Sequence, residues 1–162
     1  MWRTSHECTV KTKISTLCLT LALLVSGATA DPLTGQWVLN VGRSHYGGGA
    51  ERRKRETFTC ETDKQLLRCT VKSERLDGKR VEGRFAAAYD GKPYAATGIP
   101  DVDRVSLQRV DDHVADAVFT YKGRLVFGYR AIKSDDGRSL TIVSVDPTTR
   151  AVLNSVVVYD RR

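Results

Sequence analysis

Residues 31–162 read as an all-β domain, a single antiparallel up-and-down β-barrel of about ten strands. Three observations predict it. First, Asp77-Gly78, Asp90-Gly91, Lys122-Gly123 and Asp136-Gly137 each separate two apolar or alternating runs, as tight hairpin turns require. Asp111-Asp112 and Asp146-Pro147-Thr148-Thr149 are weaker signals of the same kind. Second, no segment sustains the 3.6-residue apolar period of an amphipathic helix. Third, the strands so bounded follow one another in hairpin order. Rolling them into a barrel removes the exposed sheet edges, and a sandwich is the other solution.

Residues 1–30 stand apart. Arg3, Lys11 and Lys13 precede an apolar run from Ile14 to Val25, and Ala28-Thr29-Ala30 supplies small residues after it. This is the pattern of a secretory signal peptide cleaved after Ala30. The apolar run is too short to span a bilayer comfortably. Export to the periplasm or the medium is therefore expected, with no transmembrane segment in the mature chain. Removing Arg3, Glu7, Lys11 and Lys13 lowers the net charge from +7 to +5. That is moderately basic with both signs interspersed, and by itself does not argue for nucleic acid.

The first strand is expected over 36–41, and strands over 55–62 and 66–75 follow as a hairpin turning at Lys64-Gln65. That hairpin makes Cys60 and Cys69 direct cross-strand partners, close enough for a disulfide in an oxidising compartment. Further strands are expected over 79–89, 93–97, 104–110, 113–121, 124–134, 138–145 and 150–159. Residues 42–55 interrupt the series. Gly47-Gly48-Gly49 opposes regular structure, so this stretch reads as a long loop at a barrel mouth, either a lid or a plain surface connection.

Gly35-Gln36-Trp37 opens the first strand near the start of the domain. Followed only by hairpin strands, it resembles the calycins, the lipocalins and fatty-acid-binding proteins, across residues 33–160. The resemblance implies an indole plugging the closed end of the barrel and a ligand held inside it. Arg161 would then stack on Trp37. Fatty-acid-binding proteins grip a carboxylate with an Arg-x-Tyr pair in the last strand; Val157-Val158-Tyr159 keeps only the tyrosine, and a second interior arginine of that family would fall near Arg130. The Gly-rich loop stands where that family has a two-helix lid. Segments such as Ser44-His-Tyr-Gly47 and Gly98-Ile-Pro-Asp-Val-Asp103 also resemble small exported bacterial proteins.

The expected function is non-enzymatic binding of a small hydrophobic or amphipathic ligand in the interior, with Trp37, Tyr129, Arg130 and Tyr159 as candidate contacts. Alternation places Leu125, Phe127, Tyr129 and Ala131 on one face and Val126, Gly128, Arg130 and Ile132 on the other; the bulkier set suits the core, which would leave Arg130 in water. The alternative is a filled barrel whose basic surface, Arg52-Arg53-Lys54-Arg55, contacts a partner or an anionic envelope component. That run is also readable as a solvated loop edge. It lacks the interleaved aromatics of a nucleic-acid site. His45 and His113 are the only histidines after residue 30, and H-x-x-H, C-x-x-C and H-E-x-x-H spacings are absent, so neither metal, cofactor nor catalysis is expected.

Overall fold

The computed structural model describes residues 31–162 except Gly48, Gly49 and Arg150; the expected signal peptide lies outside the described residues. The chain forms ten strands: β1 (Gly35–Leu39), β2 (Arg53–Asp63), β3 (Leu66–Arg75), β4 (Arg80–Ala87), β5 (Tyr94–Thr97), β6 (Arg104–Arg109), β7 (Val114–Tyr121), β8 (Arg124–Lys133), β9 (Ser139–Val145) and β10 (Val152–Arg161). Each pairs antiparallel with its neighbours in sequence, and β1 closes the ring on β10. The up-and-down barrel, not the sandwich, is the arrangement adopted. No described helix is long and apolar enough to cross a membrane.

The turns explain the order. Gly78, Gly91, Gly123 and Gly137 all have positive φ, as does Lys122 beside Gly123. Each Asp-Gly turn is tied by its aspartate: Asp77, Asp90 and Asp136 accept from the backbone N–H two residues on, at 2.9–3.0 Å. Gly98 is a different case. Its φ is +72°, and a Cβ there would lie 2.0 Å from the Glu82 carbonyl oxygen, so only glycine lets the β5–β6 turn lean onto β4.

Inward positions alternate as a half-buried sheet demands: Glu56, Phe58 and Cys60 on β2, Gly83, Phe85 and Ala87 on β4, Val105 and Leu107 on β6. Outward positions carry ion pairs instead, among them Arg68–Asp63, Lys72–Glu82 and Arg130–Asp116. An outer face so charged faces water, because lipid-facing strand positions are apolar.

Cys60 and Cys69 form the expected disulfide, with Cα atoms 4.2 Å apart, both side chains turned into the core. Replacing both with serine is expected to lower unfolding free energy by about 2–3 kcal/mol, since the bridge restrains a short loop in the unfolded chain. Urea titration of the oxidised protein and the double variant checks this; coincident curves would refute it.

The stretch between β1 and β2 departs from expectation. It is shorter than a free loop over 42–55, because β2 begins at Arg53. A one-turn 3-10 helix occupies Val41–Arg43, capped by the Asn40 side chain, which accepts from the Arg43 N–H at 3.0 Å. The chain then returns to the wall. His45 and Val156 exchange two backbone hydrogen bonds, 2.7 and 2.8 Å, and a Cβ on Gly47 would meet the Asn154 carbonyl oxygen at 1.7 Å. The segment thus extends the barrel wall along β10, and Gly47 permits the closest approach.

Candidate functional site

One end of the barrel is built shut. Pro32, Leu33 and Trp37 are fully buried there, and the indole Nε1–H donates to the Leu33 carbonyl oxygen at 2.9 Å. The Arg161 guanidinium lies 5.5 Å from the indole centroid, the stacking expected of it. Asp31 ties the floor down: it accepts from the Leu33 N–H at 2.8 Å and from the Tyr89 hydroxyl at 2.8 Å, while the Lys133 ammonium donates to its backbone carbonyl at 3.3 Å. Above the floor, Leu67, Leu107, Leu140 and Val105 fill the cross-section.

Toward the other end the lining changes. Phe85, Phe119, Phe127 and Tyr129 form a ladder of rings, with Phe119 4.4 Å from Phe127, 5.5 Å from Tyr129 and 6.3 Å from Phe85 between centroids. Val71, Tyr129 and Ile142 pack against the core cluster and remain only partly buried.

Among these apolar walls sits a polar cluster. Glu56 is 5% exposed; its Oε2 lies 3.0 Å from the Arg53 Nε, and its Oε1 accepts from the Tyr159 hydroxyl at 2.5 Å. Ser73, its cross-strand partner on β3, adds a further hydrogen bond. Burial pushes the Glu56 carboxyl above the usual carboxylate range, against the opposing pull of Arg53 and the two hydroxyls. The Tyr159 phenol is driven well up by burial and by that carboxylate, and Tyr129 is also raised by burial. Both phenols therefore act as neutral hydrogen-bonding groups. Burial works most strongly against the Arg53 cation, but Glu56 together with Tyr159, Tyr46 and Glu51 outweighs it and holds the guanidinium protonated. Arg53 keeps 35% of its side chain exposed. The buried Tyr46 hydroxyl lies beside the Arg53 backbone and completes no hydrogen bond of good geometry.

A β-bulge creates this pairing. Arg53 and Glu56 are three apart, so in a regular strand they would point to opposite faces. The register of β2 on β3 shifts between Arg53 and Arg55, and the extra residue, Lys54, turns Arg53 inward.

The basic run therefore does not form one surface patch. Arg53 joins the interior, while Lys54 and Arg55, together with Arg80, surround Glu74 on the outside at 3.0, 3.4 and 3.7 Å. The Lys54 ammonium chiefly holds the Glu74 carboxyl below its usual range. Arg52 stays exposed.

Of the four expected ligand contacts, three point into the barrel at different heights: Trp37 in the floor, Tyr129 on the ring ladder, Tyr159 in the polar cluster. Arg130 must be removed from the set. It faces outward with 42% of its side chain exposed, and its guanidinium forks onto Asp116 at 2.8 and 3.0 Å. Alternation alone dictates this once Tyr129 and Ala131 face the core. Glu56 and Ser73 escaped the sequence reading, although a signal existed: Glu56 is in phase with inward-facing Phe58 and Cys60.

Compared with known families, curated proteins and solved structures, the chain has no significant match.

Proposed function

We propose that the protein is a calycin-type carrier that holds a small amphipathic molecule inside the barrel. The observation that carries the proposal is the buried Tyr46 hydroxyl, without a hydrogen bond of good geometry, beside the one-third-exposed Arg53 side chain and among aromatic and aliphatic inner walls. A buried polar group of this kind is costly unless something hydrogen-bonds to it. The rings of Phe119, Phe127 and Tyr129, with Val71 and Ile142, offer apolar contact for a chain or ring system. Arg53 is neutralised by Glu56, so the cluster orients a hydrogen-bonding end more than it attracts a charge. Trp37 belongs to the floor that closes the lumen and serves the ligand indirectly. A disulfide-bearing barrel suits a role outside the cytoplasm.

Titration with dansyl-labelled undecanoic acid tests the reading. Saturable fluorescence enhancement and a raised thermal midpoint are expected. Arg53→Met is expected to weaken binding about tenfold, the loss of one hydrogen bond to a charged donor. No saturable binding by folded protein, with this probe and with the corresponding dansylated alcohol, would dispose of the carrier.

A further inference from the structure

The hairpin joining β7 to β8 projects beyond its neighbour. β9 pairs with β8 only from Gly128 onward, so Arg124–Phe127 are held by β7 alone, around the Lys122-Gly123 turn. Leu125, Val126 and Phe127 are 50%, 43% and 39% exposed. Three consecutive exposed apolar residues are unfavourable on a water-facing strand unless they meet something.

A second bulge spreads them over both faces of the ribbon. The register shifts so that Phe127 opposes Phe119, Leu125 opposes Thr120, and Val126 is the extra residue. Phe127 stacks on Phe119 on the lumen side, whereas Leu125 reaches the outer face, beside a cleft of about 740 Å³ that Arg104 and Thr120 also line. A strand-adding peptide or a second copy of the chain would cover the free edge and one face. Apolar groups on both faces fit a tip surrounded by its solvent.

The charges choose the solvent. At this end of the barrel most cations are partnered: Lys54, Arg55 and Arg80 by Glu74, Arg75 by Glu51, Lys79 by Asp77. Lys122, Arg124 and Arg104 are exposed and have no ion pair among the described residues. Lys122 instead lies 5.2 Å from the Tyr121 ring centroid, and its backbone N–H is held by Asp103 at 2.9 Å. An apolar tip collared by unneutralised cations and a tyrosine matches the interface of an anionic bilayer, where long cationic side chains reach the phosphates. Docking at headgroup depth also leaves the free strand edge to water and phosphate oxygens, which hydrocarbon would not satisfy.

We propose that this hairpin docks the barrel on anionic phospholipid surfaces, with Leu125 and Val126 entering the interface and Lys122, Arg124 and Arg104 on lipid phosphates. The proposal stands apart from the carrier reading, because an empty barrel would dock equally well.

The test is flotation of the purified protein with vesicles of phosphatidylcholine and phosphatidylglycerol, and of phosphatidylcholine alone, at low and high salt. Binding is expected to the mixed vesicles only and to weaken with salt. Two double variants, L125S/V126S and K122E/R124E, are each expected to lower vesicle affinity at least about tenfold. Both alter exposed side chains, so thermal midpoints and dansyl-probe binding should be unchanged. Wild-type protein that floats with neither vesicle would overturn the proposal, as would variants that float like wild type. So would a dimer in solution that L125S/V126S dissociates without any vesicle binding, which would assign the tip to a second copy of the chain.

Discussion

Trp37→Ala is expected to destabilise the barrel by about 3–5 kcal/mol, the range for removing a fully buried large aromatic side chain. Three losses coincide at this residue. The indole is completely buried in the floor, its N–H satisfies the Leu33 carbonyl, and its face receives Arg161. Truncation leaves a void beside Leu33 that the surrounding closed sheet is poorly able to collapse into. Trp37→Phe separates the parts: it keeps most of the apolar volume but abandons the Leu33 carbonyl, for which about 1–3 kcal/mol is expected. Chemical denaturation of wild type and both variants checks the order. If Trp37→Ala unfolds at the wild-type midpoint, the buried floor does not stabilise the barrel.

Glu56→Ala is expected to cost about 2–3 kcal/mol. Breaking a buried ion pair costs more than this when both partners are enclosed, but Arg53 is about one-third exposed and water screens part of the loss. Glu56→Gln should cost less, since an amide oxygen still accepts from Tyr159. The two forms also differ with pH. In the native barrel Glu56 keeps its proton to higher pH than in the unfolded chain. As pH rises from the ordinary carboxylate range to the raised native value, the unfolded chain ionises first and wild-type stability falls. Below that window the contribution is fully present; above it the loss is complete and constant. The difference in stability between wild type and Glu56→Gln should therefore shrink as pH rises through mild acid. A pH-independent difference would place Glu56 in contact with bulk water.

Much of this architecture was legible because hairpin chemistry is local. Asp-Gly and Lys-Gly pairs announce their turns within two residues, and the turns alone order ten strands. The Cys60–Cys69 bridge follows from a hairpin register that one turn sets. Gly35-Gln36-Trp37 pointed to the floor through its resemblance to the calycin opening strand. The closing strand is longer than expected: β10 runs to Arg161 and not to residue 159, because its last residues pair with β1, adjacent in space but at the other end of the domain's sequence. Nothing local to residues 150–162 encodes that partner. The span over 42–55 looked like a loop for the same reason, since its ties to Val156 and Asn154 come from residues over a hundred positions away.

Which side chains line the interior was legible only where strands are regular. Period-two alternation carries Glu56, Phe58 and Cys60 inward together, and it puts Arg130 out and Tyr129 in. A bulge inverts that alternation, and no residue type marks a bulge reliably. The bulge at Lys54 brings Arg53 to Glu56; the one at Val126 sends Leu125 outside while Phe127 stays within. Local residue chemistry sufficed for an all-β chain of successive hairpins and for its disulfide, and the family resemblance added the tryptophan floor. Which charge turns inward and which apolar residues meet the outside emerged only from strand pairing. The reason is that those choices depend on one extra residue per strand, held there by pairing with a neighbour.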